Sequence, residues 1–150
     1  MPDAVIFPMG AAHITGVAET EKQCFSVPWS ERAIEQELYN ESAMFFVAEK
    51  NGQVVGYIGM HTVLDECYIA NIAVLPEHRR QGIGDMLLSF AGQRAKEKGC
   101  SFISLEVRVS NHSAIALYEK HGYEKQGERK NFYREPTENA LIMTKYFDKD

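Results

Sequence analysis

Arg79-Arg80-Gln81-Gly82-Ile83-Gly84 stands between an apolar run, Ile69-Ala70-Asn71-Ile72-Ala73-Val74, and a segment whose apolar residues take helical spacing from Ile83 onward. The run reads as a strand, so a strand, a basic glycine-containing turn and a helix succeed one another directly. Such a junction suits an anion. The first N–H groups of a helix have no partner within it, and the aligned peptide dipoles place partial positive charge at the same end. Gly82 and Gly84 keep side chains away from an approaching phosphate, and Arg79 and Arg80 add formal charge. The stretch is not a P-loop, because Gly82 is not followed by glycine, lysine and Ser/Thr. It is not a dinucleotide fingerprint either, because Leu87 stands where the third glycine belongs. The same residues also fit a solvated loop with glycine at its turn, so the neighbours must decide.

Downstream, Ile83, Met86, Leu87, Phe90, Ala91 and Ala95 recur at helical spacing, Lys96 and Lys98 occupy the last turn, and Gly99 is a natural stop. Phe102 to Val109 alternates as a strand. Ser110 or Asn111 can cap a short helix from about Ser113 to His121, closed by Gly122. Tyr123 to Tyr133 and Asn139 to Phe147 read as two final strands, antiparallel neighbours. Upstream, the branched residues of the Cys67–Leu75 strand change parity between Ile69 and Ile72, which a β-bulge near Ala70-Asn71 would produce. Asn51-Gly52 is a type I′ hairpin turn between Phe45–Glu49 and Val54–Val63. Gly56 and Gly59 within the latter strand imply a bulge or a close backbone approach. Two helices precede these strands, one over His13 to Cys24 and one from the Ser30 cap to about Tyr39. Trp29 and Ile34 have the spacing of a hydrophobic staple. An extended start at Val5-Ile6-Phe7 completes the order, which predicts an α/β fold of the α+β type: a mixed sheet with helices on both faces.

At 150 residues the chain is expected to be a single domain, 1–150, with enough length for a real core. Its 45% hydrophobic and 25% charged residues are ordinary for a globular protein, and a net charge of −5 argues against a general nucleic-acid binder. Cys24, Cys67 and Cys100 are odd in number and unpaired in spacing. No disulfide framework or metal site is therefore expected, and a reducing, cytoplasmic setting is. No targeting segment or membrane-length run stands out.

Glu106 lies mid-strand. A lone glutamate there ordinarily reads as solvated, on the polar face of an edge-exposed strand. If its strand lies beside Cys67–Leu75, however, both end near the basic turn, and the carboxylate could serve as a general base. Tyr118, among Ala114, Ile115 and Leu117, fits core packing but could also donate a proton. Asn111 is most simply a cap.

Asn71-Ile72-Ala73-Val74 followed by Arg79-Arg80-Gln81-Gly82-Ile83-Gly84 resembles the Arg/Gln-x-x-Gly-x-Gly/Ala signature of the GCN5-related N-acetyltransferase (GNAT) superfamily. Leu105-Glu106-Val107-Arg108-Val109-Ser110-Asn111 and Ala116-Leu117-Tyr118-Glu119-Lys120-His121-Gly122-Tyr123 are similar to its bacterial ribosomal-protein alanine N-acetyltransferase (RimI-like) branch. So are Phe25-Ser26-Val27-Pro28-Trp29-Ser30 and Arg129-Lys130-Asn131-Phe132-Tyr133. The resemblance spans about residues 20 to 147. It implies a GNAT fold with a central twisted, mostly antiparallel sheet, and acetyl-CoA as co-substrate with no metal. Main-chain groups of Ile72, Ala73 and Val74 are then expected to pair with the pantetheine arm. Arg79, Arg80, Gln81, Gly82, Ile83, Gly84 and Asp85 would cradle the pyrophosphate, and Asn111 would bond the cofactor. Glu106 becomes the general base and Tyr118 the general acid. The implied amine is a protein N-terminus, that of a small-subunit ribosomal protein beginning with alanine. Within the superfamily, a small-molecule amine or a lysine is the rival acceptor. A non-catalytic acyl-CoA-binding regulatory module is the rival of another class, disfavoured by the presence of Glu106 and Tyr118 together. Phe132 stands where relatives often carry a second tyrosine, which leaves Tyr133 as the hydroxyl on the expected substrate side.

Overall fold

Residues 4–147, those described by the computed structural model, form one seven-stranded sheet carrying four α-helices. The strands are β1 (Val5–Pro8), β2 (Ala43–Lys50), β3 (Gln53–Val63), β4 (Glu66–Val74), β5 (Phe102–Arg108), β6 (Glu124–Tyr133) and β7 (Glu138–Tyr146). The helices are α1 (Ile14–Cys24), α2 (Glu31–Glu37), α3 (Ile83–Glu97) and α4 (His112–Lys120). Sheet order is β1-β2-β3-β4-β5-β7-β6, and every neighbouring pair is antiparallel except β4 and β5.

Local chemistry sets most boundaries. Asn51 and Gly52 both have positive φ, 54° and 76°, as a type I′ turn requires. The Ser30 hydroxyl accepts the Ala33 N–H at 3.1 Å and starts α2. Trp29 and Ile34 enter the same apolar cluster, as the staple spacing implies. That helix ends at Glu37, short of the expected Tyr39. The N–H groups of Leu38, Tyr39 and Asn40 each reach back three residues, to Glu35, Gln36 and Glu37, so the last turn tightens and the α-helical ladder stops.

Period-two alternation gives the sheet two apolar faces. Phe46, Ala48, Val55, Ile58 and Met60 pack beneath Ile83, Leu87, Leu88 and Ala91 of α3, with Ile115 and Tyr118 of α4 in the same cluster. Phe45, Val47 and Tyr57 point to the other face, against Ile14, Val17 and Ala18 of α1 and Ile34 of α2. A β-bulge interrupts β4 as the parity change predicts: Gly59 pairs with Asn71 and Met60 with Ile69, leaving Ala70 as the extra residue. Gly59 opposite this bulge has no room for a side chain, since an added Cβ would overlap the Phe45 ring.

One feature of the sheet positions the site. β4 and β5 pair only from Glu66, Cys67 and Tyr68 to Phe102, Ile103 and Ser104. Beyond those residues the two strands part, and residues 69–74 turn an edge toward β5 that no strand fills. The bulge at Ala70 bends β4 where the separation begins.

Candidate active site

The turn after β4 enters α3 through Gly82, whose φ of 83° is the left-handed conformation that glycine adopts without strain. The first helical bond runs from Met86 N–H to the Gly82 carbonyl at 3.0 Å. The N–H groups of Ile83, Gly84 and Asp85 therefore have no partner within the helix, and no side chain caps them. These donors lie at the end of the unfilled β4 edge. The geometry fits a chain that pairs with residues 72–74 and carries phosphate at its far end.

The side chains of the turn are arranged differently from the sequence expectation. Arg79 folds back, its Nε donating to the Val74 carbonyl at 3.0 Å and its Nη2 to Cys24 Sγ at 3.4 Å. Gln81 Oε1 accepts from Lys50 Nζ of β2 at 3.0 Å. Arg80 has φ 62° and is exposed, so its guanidinium is the solvent-facing charge of the turn. Asp85 points to α4: its Oδ1 lies 2.9 Å from Lys120 Nζ and 2.8 Å from His121 Nε2. His121 and then Lys120 hold its carboxyl below the usual range. An ionised carboxylate repels phosphate, so only the main chain of Asp85 suits a pyrophosphate cradle. Its side chain ties α3 to α4. Asn111 acts as the α4 cap, its Oδ1 accepting from Ala114 N–H at 3.2 Å.

Glu106 lies on β5, which runs between β4 and β7, so the edge-strand reading is corrected. Its side chain is 31% exposed and forms an ion pair with Arg129 of β6. Tyr118 projects from α4 into the apolar cluster, 7% exposed, with its ring 6.0 Å from that of Tyr123. Burial, with a smaller contribution from Tyr133, pushes the Tyr118 phenol well above its usual value. Tyr133 ends β6. Burial first, then the negative charge of Glu106, moves its phenol up to about 12. Arg108 fastens the loop beyond Tyr133, donating to the carbonyls of Arg134 and Pro136 at 2.8 and 2.9 Å and to Glu138 at 3.1 Å. Its guanidinium also stacks 4.6 Å from the Tyr133 ring centroid.

A buried carboxylate outside the sequence-derived set holds the opposite wall. Glu21 of α1 has 0% exposure and accepts from Tyr57 of β3, from Asn71 Nδ2 at the bulge (2.9 Å) and from Trp29 N–H (2.8 Å). One side chain thus ties α1, the aromatic bend before α2, and the bulged strand. Desolvation raises its carboxyl above the ordinary value, against the pull of its three donors. The signal was present in the sequence: Ile14, Val17, Ala18 and Glu21 occupy i, i+3, i+4 and i+7 of one helix face, so a carboxylate continues an apolar stripe. Arg129 and Arg108 had no such signal, because strand pairing alone brings them to Glu106 and Tyr133.

The cysteines lack the marks of nucleophiles. Burial lifts the Cys24 thiol despite the neighbouring Arg79, and pushes Cys67 up to about 12. Among the described residues no group of His, Cys, Asp and Glu is arranged to hold a metal ion, and no helix is long and apolar enough to cross a membrane.

The family model of GNAT acetyltransferases matches residues 14–123, from α1 through α4. The chain belongs to the GNAT acetyltransferase family. A Bacillus subtilis (strain 168) relative, provisionally named a [ribosomal protein bS18]-alanine N-acetyltransferase, is 43% identical over 141 residues, covering 93% of each chain. The [ribosomal protein bS18]-alanine N-acetyltransferase of Haemophilus influenzae is 37% identical over 95% of this chain and 99% of its own. Among solved structures, the ribosomal-protein-S18-alanine N-acetyltransferase from Escherichia coli superposes with a TM-score of 0.90 at 31% identity, covering 98% of this chain and 96% of that one. The mixed, mostly antiparallel sheet with helices on both faces is thus the GNAT fold.

Proposed function

We propose that this GNAT protein transfers the acetyl group of acetyl-CoA to a protein N-terminal α-amine, the alanine of ribosomal protein bS18 being the acceptor its relatives' names point to. The observation that carries the reading is the parting of β4 and β5. It leaves a strand edge that no neighbouring strand fills, an uncapped helix start and a carboxylate around one opening.

Acetyl-CoA supplies an acyl thioester activated toward amines. The chain's own groups have four tasks. The main chain of Ile72, Ala73 and Val74 offers a strand edge to the amide-bearing pantetheine arm, as a sheet accepts one more strand. The free N–H groups at Ile83, Gly84 and Asp85, with Arg80, receive pyrophosphate, and Asn111 lies at the start of α4 beside the same opening. Glu106 takes the proton that the amine must lose. A peptide α-amine has a reference pKa of about 7.7–8.0, so a carboxylate can manage this near neutral pH, directly or through water. As the C–N bond forms and the C–S bond breaks, the leaving sulfur gains a proton from Tyr118. The phenol is protonated near neutral pH, and burial favours that form further. No acyl-enzyme is required.

Free-thiol release from acetyl-CoA, measured against a panel of alanine-initiated peptides, lysine peptides and small amines, tests the reading. Turnover restricted to the α-amine peptides supports it. Turnover with small amines or lysine alone replaces the acceptor, and none with any acceptor returns the chain to a binding module.

A further inference from the structure

On the face of the sheet that carries Glu106, three aromatic rings form a row across adjacent strands. Tyr68 of β4, Phe102 of β5 and Tyr146 of β7 meet edge to face, with centroids 5.8 and 6.0 Å apart. Strand parity puts them on that face: Phe102, Ser104 and Glu106 alternate along β5, and Tyr68 and Thr144 stand directly opposite Ser104. The Ser104 and Thr144 hydroxyls bond at 2.8 Å, which confirms the shared side. Helices α1 and α2 cover this side of β2 and β3 but leave the row open: Tyr68 is 40% and Tyr146 61% exposed. Acidic groups border it. Glu66 is opposite Phe102 and accepts the Tyr68 hydroxyl, and Glu124 is opposite Thr144.

We infer that this row is an accessory site for a cationic segment of the polypeptide substrate, several residues beyond the amine that is acetylated. Aromatic faces attract ammonium and guanidinium groups, and Glu66 and Glu124 supply opposite charge. The distance agrees with that occupant. Four residues of strand separate Phe102 from Glu106, about 13 Å, which an extended substrate covers in about four residues. A chain whose N-terminus meets Glu106 and that follows β5 back to Phe102 presents its fifth residue or so to the rings.

The inference rests on the N-terminal acetyltransferase reading, and the test separates the two. Initial rates are measured with a tetrapeptide and with two octapeptides sharing its first four residues, one carrying Arg at positions five to seven and one carrying Gln there. For the unaltered protein the expected result is a KM about tenfold lower for the Arg octapeptide than for the Gln octapeptide, at equal kcat. Tyr68→Ala with Tyr146→Ala should shrink that ratio below about threefold and leave tetrapeptide kinetics unchanged. Glu66→Gln with Glu124→Gln, which keeps the rings, should reduce it partway and make it less sensitive to salt. A ratio near one in the unaltered protein, or a ratio that survives both double substitutions, overturns the site. Turnover of no peptide, the tetrapeptide included, overturns the functional reading and the site with it. A dimer in sedimentation that dissociates in the Tyr68→Ala, Tyr146→Ala protein assigns the row to a second copy of the chain instead.

Discussion

Replacing Tyr57 with Phe removes one oxygen from the buried junction at Glu21, and the geometry there sets the consequence. The phenol and Asn71 Nδ2 both donate to Oε2, while Trp29 N–H serves Oε1. Tyr57 and Glu21 are both fully buried, so water does not replace the lost donor. A hydrogen bond to a charged group contributes about 1.5–3 kcal/mol, and the ring packing is unchanged, so a loss of about 2 kcal/mol is expected. For a chain of this size that lowers Tm by about 4–8 °C. The sign of the pH dependence comes from the raised carboxyl of Glu21. The folded state favours its protonated form, so the contribution of this group to stability is greatest below the unfolded-state value near 4.3 and declines as pH rises through the higher folded-state value. Deleting a donor to the carboxylate raises that folded-state value further. The gap between Tyr57→Phe and the unaltered protein should therefore be full at pH 8 and narrow toward pH 4.5, where a neutral carboxyl needs the donor less. Urea unfolding at both pH values measures it. Equal midpoints at pH 8, or a gap that widens on acidification, would show that Glu21 is not held as a buried carboxylate by these donors.

Three further outcomes are expected. Glu106→Gln should lower kcat about 10²–10⁴-fold with acetyl-CoA affinity retained, the loss being most severe at low pH where the substrate amine is protonated; an unchanged rate removes Glu106 from the base role. Gly82→Glu should abolish acetyl-CoA binding in calorimetry, because a side chain with negative charge then occupies a left-handed turn beside the free N–H groups, and normal affinity would remove the cradle. Asp85→Asn should cost at most about 0.5 kcal/mol near pH 7, since the pair is partly solvated. With its carboxyl held below the usual range, that contribution is present above the unfolded-state value and lost as pH falls through the folded one, so thermal melts of variant and parent should converge in strong acid.

Much of this fold was legible because its signals are local. A type I′ turn needs positive φ at two residues, and Asn51-Gly52 supplies them. Helix ends need donors and acceptors, and Ser30 and Asn111 supply those. The parity change from Ile69 to Ile72 reported the bulge at Ala70, since one extra residue reverses every side chain beyond it. With the glycine turn after it, the strand and helix flanking the cofactor side could be drawn from the amino-acid order alone, and so could the candidate pair Glu106 and Tyr118.

Tertiary structure decided what depends on partners distant along the chain. Nothing near Glu106 in sequence announces Arg129, and only the β5-β7-β6 order brings them together. Asp85 counts among phosphate-cradling residues until α4 packs against α3 and Lys120 and His121 claim its carboxylate. The extent of β4–β5 pairing likewise depends on how the bulged strand leaves its neighbour. Arg79 to Gly84 stood out as a candidate anion-binding turn because backbone donors, a dipole and glycines act over a few residues. Where its side chains point, and which amine meets Glu106 across the opening, are matters of packing between strands and helices that only the folded chain brings into contact.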